Sequence, residues 1–432
     1  MSEKAEAWQS DCVTRVLPLR GKDFDVEVTS FRFDYGDGLT ADLRLRAKGG
    51  KKDERVVRQM LFASGDAFSQ ISAEDLNAEI ARWGKWLGGQ TFAEVKKLSV
   101  EALRPFPTLG EDQIEEAWKA WKAEHDPKPD ERIARQAKTL KEVNARFPAF
   151  AKHVKATWKL RVPKTLAVVQ AFFEAQKRGT MAASVVQDSE LQPAGVLDRL
   201  AARGLARKVK RGMDERCHGR YFRDPPELLT FTHGGEDGLH FGLWYDRDDR
   251  LPAFCVMNYA RDSSETWGAE STPMASLVRR IQGRETVAGP PGFRHRFLLE
   301  IMAWFEEAEA AIVKKEPVPV TKMPTPILGG VGVDAEGKRS ACDAIEKADA
   351  ALRDDPKLTR QWVEEATKRL AKGDARMALV LGRSMHWMGS SWSKESQALL
   401  EGAYAKLGRD ALAGITRAHY THRESPTVAV LR

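Results

Sequence analysis

The run Arg220-Tyr221-Phe222-Arg223-Asp224-Pro225-Pro226-Glu227-Leu228, followed by Asp237-Gly238-Leu239-His240-Phe241-Gly242-Leu243-Trp244-Tyr245-Asp246, constrains the fold more than any other stretch of the chain. Two adjacent prolines lack backbone N–H donors and force an extended corner, which ends one segment and aims the next. Leu228 to Thr232 has the apolar and β-branched content of a strand, and Gly234-Gly235-Glu236-Asp237-Gly238 supplies positive-φ positions for a hairpin loop. Leu239, Phe241 and Leu243 then alternate with His240, Gly242 and Trp244, so a second strand with two distinct faces follows.

Around this corner lie 432 residues, 42% of them apolar and 12 of them Trp, enough to bury at least two cores. The 69 basic residues are offset by 62 acidic ones, and the net +7 is spread along the chain. Only Arg203 to Arg211 and Lys51-Lys52 are densely basic, and both read as solvated edges, so a nucleic-acid partner is not expected. Cys12, Cys217, Cys255 and Cys342 lack CxxC spacing, which points to a reducing compartment rather than a disulfide framework or zinc site. No run approaches the roughly 18 apolar residues of a membrane span, and Met-Ser-Glu-Lys-Ala-Glu is too polar for a signal peptide. The expectation is a cytoplasmic protein with no membrane partner, no metal and no cofactor.

The first unit, residues 1–130, is expected to be a β-hairpin and helical domain of unknown role. Phe24, Val26 and Val28 alternate, and Phe31, Phe33 and Tyr35 continue after a phase shift at Thr29-Ser30 that suggests a bulge. Gly36-Asp37-Gly38 turns the chain into Leu39, Ala41, Leu43 and Leu45. Helices are expected from about Glu54, from about Ala73, after the capping box Thr91-Phe92-Ala93-Glu94, and from Glu111 to about Glu124 with Trp118 and Trp121 on a packing face. Asp126-Pro127-Lys128-Pro129-Asp130 reads as a boundary. Residues 131–313 form an α+β domain, beginning with a helix from Asp130 to about Ala145 and another from Lys164 to Gln176. Residues 314–339 are a proline- and glycine-rich linker, whose glycines do not lie between a strand and a helix as a dinucleotide loop would require. Residues 340–432 are helical and too apolar to stand free. The fold class is thus α+β: a mixed sheet with flanking helices, a helical C-terminal part and a separate N-terminal unit.

Two distant blocks carry a resemblance to the histone PARylation factor family, eukaryotic accessory factors of poly-ADP-ribose polymerases that also have bacterial relatives. The first is the Arg-Tyr-Phe-Arg-Asp-Pro-Pro-Glu corner with Gly-Leu-His-Phe-Gly-Leu-Trp-Tyr-Asp and Leu251-Pro252-Ala253-Phe254. The second is Met377-Ala378-Leu379-Val380-Leu381-Gly382 with Gly389, Tyr404, Leu407 and His419 to Arg423. Together they span roughly Phe147 to Val428, with loose stretches at 180–210 and 315–370. The resemblance implies a sheet akin to the Smi1/Knr4-like fold with a helical end. It also implies an adjacent Asp-Glu pair just before the Met-x-Leu-x-Leu-Gly helix that completes a polymerase's active site, the Glu acting as base toward a serine acceptor. Here those positions fall on Ala371 and Lys372. Alanine has no base, and an exposed lysine is protonated at pH 7. Asp374 is the only carboxylate nearby, and Tyr245 stands where the family places a partner-contact arginine.

The expectation is therefore a non-enzymatic protein-binding scaffold of bacterial type. Its candidate partner-binding residues are Tyr221, Arg223, Asp224, Glu227, His240, Trp244, Tyr245, Asp246 and Arg261. Two alternatives remain: an accessory factor that still assists an ADP-ribosyltransferase through Asp374, or a Smi1/Knr4-like immunity protein whose sheet clamps a toxin. For Glu227 the bland expectation is an ion pair with Arg220 or Arg223, and for Asp224 a turn cap. His419 and His422 read as structural histidines. Asn258, Arg261, Asp262, Ser263 and Glu265 form a polar cluster that a strand-end loop would present, and Ser263 has no activating partner at a fixed spacing.

Overall fold

The structure, a computed structural model, describes residues 19–34, 38–48, 54–62, 84–85, 87–97, 111–283, 290–317, 324–425 and 428–432. The chain divides into two compact units, Met1–Pro127 with Gln282–Arg296, and Lys128–Ile281 with Phe297–Arg432.

The first unit contains a four-stranded antiparallel sheet in the order β1 (Leu19–Arg20), β2 (Phe24–Asp34), β3 (Gly38–Ala47), β4 (Glu54–Phe62). The β2–β3 register shifts between Val28 and Ser30, at the phase change read from the sequence. The turn residues 35–37 lie outside the described residues. The segment from Glu54 is a strand and not the expected helix. It pairs with β3 from Arg46↔Glu54 to Leu39↔Phe62, and the β-branched pair Val56-Val57 suits a pleated neighbour better than a helix. Most of the helix expected from about Ala73 is also outside the described residues. α1 (Phe92–Lys97) opens with the capping box: Glu94 N–H donates to Thr91 Oγ1 at 3.3 Å and Thr91 N–H to Glu94 Oε2 at 2.7 Å. On α2 (Glu111–His125) Trp118 and Trp121 stack at 5.5 Å, Phe293 packs on both, and the Arg296 guanidinium lies 4.6 Å from the Trp118 ring.

The second unit is mixed α+β. It begins with α3 (Pro129–Thr157), longer than expected because Pro148 is accommodated within it, then α4 (Leu166–Glu174), α5 (Met181–Asp188), β5 (Gln192–Pro193) and α6 (Leu197–Leu200). The strands β6 (Leu228–His233), β7 (Leu239–Trp244), β8 (Phe254–Tyr259) and β9 (Thr266–Gly268) follow. After α7 (Pro273–Gln282) and α8 (Pro290–Val313) come β10 (Thr325–Ile327) and β11 (Gly330–Val333). The stretch expected as a linker, 314–339, thus contributes two strands. The tight β10–β11 turn uses Gly329 at φ 90° and Gly330 at φ 104°, and Gly330 packs so close to the Thr266 carbonyl that a Cβ would lie 2.0 Å away. The sheet order is β10-β11-β9-β8-β7-β6-β5, antiparallel except where β11 meets β9. The helices α9 (Ile345–Asp354), α10 (Pro356–Ala371), α11 (Arg376–Met388), α12 (Ser393–Lys406) and α13 (Asp410–His422) form the helical C-terminal part.

All six residues of β7 are buried, so the alternation in its sequence does not separate a wet face from a dry one. α4 is buried from Leu166 to Phe172, and α11 from Met377 to His386. Each large apolar side chain in these runs contributes about 1.5–3 kcal/mol by leaving water. Among the described residues no helix is long and apolar enough to cross a membrane. Cys217, Cys255 and Cys342 are buried free thiols, and Cys12 lies outside the described residues.

Candidate functional site

The diproline corner is clamped by Arg220. Proline carbonyls still need donors, and the buried guanidinium supplies them, Nη1 donating to Pro225 O at 2.6 Å and Nη2 to Leu228 O at 2.5 Å. Gly219, at φ 76°, lets the chain enter this corner against Gly195, where a Cβ would approach Gly195 Cα to 2.6 Å. Asp224 does cap the turn, but through its side chain as well: Oδ2 accepts from Tyr221 N–H at 2.7 Å. Its other oxygen lies 3.0 Å from His240 Nε2, while His240 Nδ1 donates to Gly238 O at 2.8 Å. An acceptor lies at each ring nitrogen, a geometry that favours the doubly protonated ring. Burial alone would lower its pKa, but the Asp224 charge and the two hydrogen bonds outweigh burial and raise it above 6.5.

Glu227 pairs with neither Arg220 nor Arg223. The corner turns its carboxylate toward the C-terminal helices, where Tyr404 Oη donates to Oε1 at 2.5 Å and Arg383 Nε lies 3.1 Å from Oε2, close enough for an ion pair but misaligned for a hydrogen bond. Burial and the neighbouring Glu227 charge push the Tyr404 phenol well above 10. His386 Nε2 donates to the Asp224 carbonyl at 3.0 Å, leaving Nδ1 to accept from Tyr420 Oη at 2.8 Å. Burial and the cations Arg423 and Arg383 keep this imidazole neutral, well below 6.5. The result is a buried ionic layer joining β6 and β7 to α11, α12 and α13.

Of the nine candidate contact residues, Asp224, Glu227, His240, Trp244, Tyr245 and Asp246 are buried and present no surface to a partner. Tyr245 Oη donates to Arg161 O at 2.7 Å, and Trp244 Nε1 donates to Asp246 Oδ1 at 3.1 Å, burial raising that carboxyl to about 6. Tyr221 and Arg223 are half-buried and Arg261 is exposed. The cluster after β8 divides in the same way. Asn258 is fully buried and donates to Ser264 O and Thr266 Oγ1, whereas Arg261 and Asp262 are exposed and Ser263 and Glu265 half-buried. His419 is buried and His422 half-buried, and among the described residues no group of three or more metal-ligating side chains forms.

Ala371, the last residue of α10, is exposed, as are Lys372 and Gly373 in the turn to α11. Asp374 is half-buried, and its Oδ1 accepts from Arg376 N–H at 3.3 Å. Arg376 ties this loop to the β10 edge, donating to Asp343 Oδ2, Ala335 O and Thr325 Oγ1. In the sheet order β10 is four neighbour spacings from β7, roughly 19 Å at about 4.8 Å each. Asp374 and His240 are therefore not brought together.

Sequence reasoning did not single out Arg383, His386 or Arg423. The signal was present for the first two, since an Arg and a His inside an otherwise apolar, fully buried helix require buried polar partners.

Residues 149–274 match the family model of Histone PARylation factor 1. Histone PARylation factor 1 from Bos taurus and from Mus musculus are each 28% identical to this chain over 111 residues, 26% of this chain. The aligned stretch spans 32% of those relatives' length. The matched residues contain the diproline corner, β6, β7 and β8, while the C-terminal helices that complete the ionic layer lie beyond them. The likeness to histone PARylation factor 1 thus rests on residues 149–274, under a third of the chain.

Proposed function

We propose that this chain is a non-catalytic, protein-binding scaffold related to ADP-ribosylation accessory factors, with an ADP-ribosyltransferase as its partner. The observation that carries the reading is the loop before α11. Where the resemblance implies a carboxylate pair, the chain exposes Ala371 and Lys372, and Asp374 is engaged with the backbone of its own loop. A general base needs a carboxylate free to reach the acceptor hydroxyl; Ala371 and Lys372 supply none, and Asp374 is half-buried and bonded within its own loop. The partner contacts fall to Tyr221, Arg223 and Arg261, which the buried layer holds at the surface.

The test is calorimetric titration of the full chain into a purified ADP-ribosyltransferase catalytic domain, together with acceptor-modification rates in its presence. Binding is expected, with equal rates for wild type and Asp374→Ala. Absence of binding, or a rate increase that Asp374→Ala abolishes, sinks the scaffold reading.

A further inference from the structure

The turn between α10 and α11 is ringed by cations that lie far apart in the sequence. Lys368 and Lys372 come from the end of α10, Lys406 from the last turn of α12, and Lys338 and Arg339 from the connection between β11 and α9. Folding brings the three segments to one place. A Cβ at Gly373 would lie 3.7 Å from Lys406 Nζ, and Gly337 packs against the Asp374 side chain. Arg376 fastens the turn to the β11–α9 connection, donating to Ala335 O at 2.8 Å and to Asp343 Oδ2 at 2.7 Å. All five cations are exposed, and among the described residues none makes an ion pair or a side-chain hydrogen bond.

The carboxylates at hand are already engaged. Glu365 accepts from Arg369 at 2.8 Å, Asp343 holds Arg376, and Asp374 accepts from Arg376 N–H. Glu365 also reaches Lys368 and Lys372 with its charge, and the exposed Glu336 acts on Arg247. The remaining positive charge is self-repelling, an arrangement that a set of external carboxylates relieves. Helix C-termini favour cations, which accounts for Lys368 and Lys406 but not for Lys338 and Arg339, which lie on no helix. Four of the five are lysines, flexible point charges that suit several separate carboxylates better than one forked oxyanion. None of the three segments carries an exposed aromatic ring, the platform on which a single-stranded nucleic acid stacks. The exposed Ile345, two residues beyond Asp343, offers an aliphatic contact instead.

We propose that this turn is a docking site for an acidic polypeptide segment, whose carboxylates meet Lys338, Arg339, Lys368, Lys372 and Lys406. Where the resemblance implies a carboxylate pair the charge here is reversed, so the surface it selects on a partner is reversed as well. The site rests on the scaffold reading and deepens it by stating the chemistry of the partner's contact segment. It is tested with peptides and without a transferase. Transferase binding that survives a failed peptide titration, or the converse, separates the two readings.

The experiment is fluorescence anisotropy of the full chain with a labelled peptide rich in Asp and Glu, its Lys-rich counterpart, and an oligothymidylate of the same charge as the acidic peptide. The acidic peptide should bind and the Lys-rich one should not, and raising salt from about 50 to about 200 mM should weaken binding about tenfold. Lys338→Glu, Lys372→Glu and Lys406→Glu combined, one from each segment, should weaken it about tenfold or more with an unchanged circular dichroism spectrum. The control reverses as many exposed lysines on α3, by Lys141→Glu, Lys152→Glu and Lys155→Glu, and should change affinity less than about threefold. No binding of the acidic peptide at about 100 μM chain and the lower salt overturns the site. Equal losses in the two triple variants, which would report net charge alone, do the same. An oligothymidylate that binds as tightly as the acidic peptide overturns the assignment to a polypeptide.

Discussion

The diproline corner and the loop before α11 meet the same helix, yet they treat charge in opposite ways. At the corner Asp224 and Glu227 are 1% and 3% exposed, and each has partners from a different part of the chain: His240 on β7, Arg383 on α11, Tyr404 on α12. In the loop Ala371 and Lys372 face solvent, and Asp374 is half-buried, with Arg376 N–H on its Oδ1 and Arg369, near the end of α10, within reach of its charge. Removing one member of the corner strands another in a dry interior, whereas changing the loop strands nothing. The framework that shapes the fold is thus energetically separate from the positions where the resemblance implies chemistry, so a chain can hold the first without the second.

The sharpest way to break this contrast is Glu227→Ala. It leaves Arg383 buried without its counter-ion and the Tyr404 hydroxyl without its acceptor, and the expected loss is about 3–5 kcal/mol. A shift of the urea midpoint at constant slope measures it, and a loss below about 1 kcal/mol would mean that the corner is no more coupled than the loop. Asp224→Asn should cost less, about 2 kcal/mol, because the amide oxygen can still accept from Tyr221 N–H while the His240 charge loses its partner. This loss should also depend on pH. The folded chain holds the His240 proton above the ordinary 6.5, so the pair's stabilisation is complete below about pH 6.5 and fades as pH rises through the folded value. The wild type's margin over Asp224→Asn should narrow as pH rises above the ordinary histidine value of 6.5, and a margin that widened would place the proton elsewhere.

Local chemistry made part of this legible in advance. Prolines, glycines and strict alternation mark β6, the hairpin and β7, because turn geometry depends on residues within a few positions of one another. The capping box at Thr91 and the bulge near Ser30 are local in the same sense. Glu54 to Phe62 is a strand and not the expected helix, because the preference of Val56-Val57 is realised only by pairing with β3. The β10–β11 strands were hidden in a glycine-rich stretch, since Gly330 is explained by the Thr266 carbonyl it approaches, 64 residues away in sequence. The partner of Glu227 failed for that reason too: Arg220 and Arg223 are near in the chain, whereas Arg383 and Tyr404 become near only after the C-terminal helices dock.

The smallest expected effect lies at the other pole of the comparison. Asp374→Ala removes an acceptor whose contact with Arg376 N–H is long at 3.3 Å, and Arg376 keeps its three other acceptors at Asp343, Ala335 and Thr325. Lys372→Ala removes an exposed side chain. Both should leave the urea midpoint within about 0.5 kcal/mol of wild type. Such neutrality matters because it makes the activity test with Asp374→Ala interpretable: any change in a transferase assay would then be chemistry and not a loosened fold. A cost above about 2 kcal/mol would instead show that the loop is tied into the core as tightly as the corner, and the separation of framework from chemistry would fail at its weaker end.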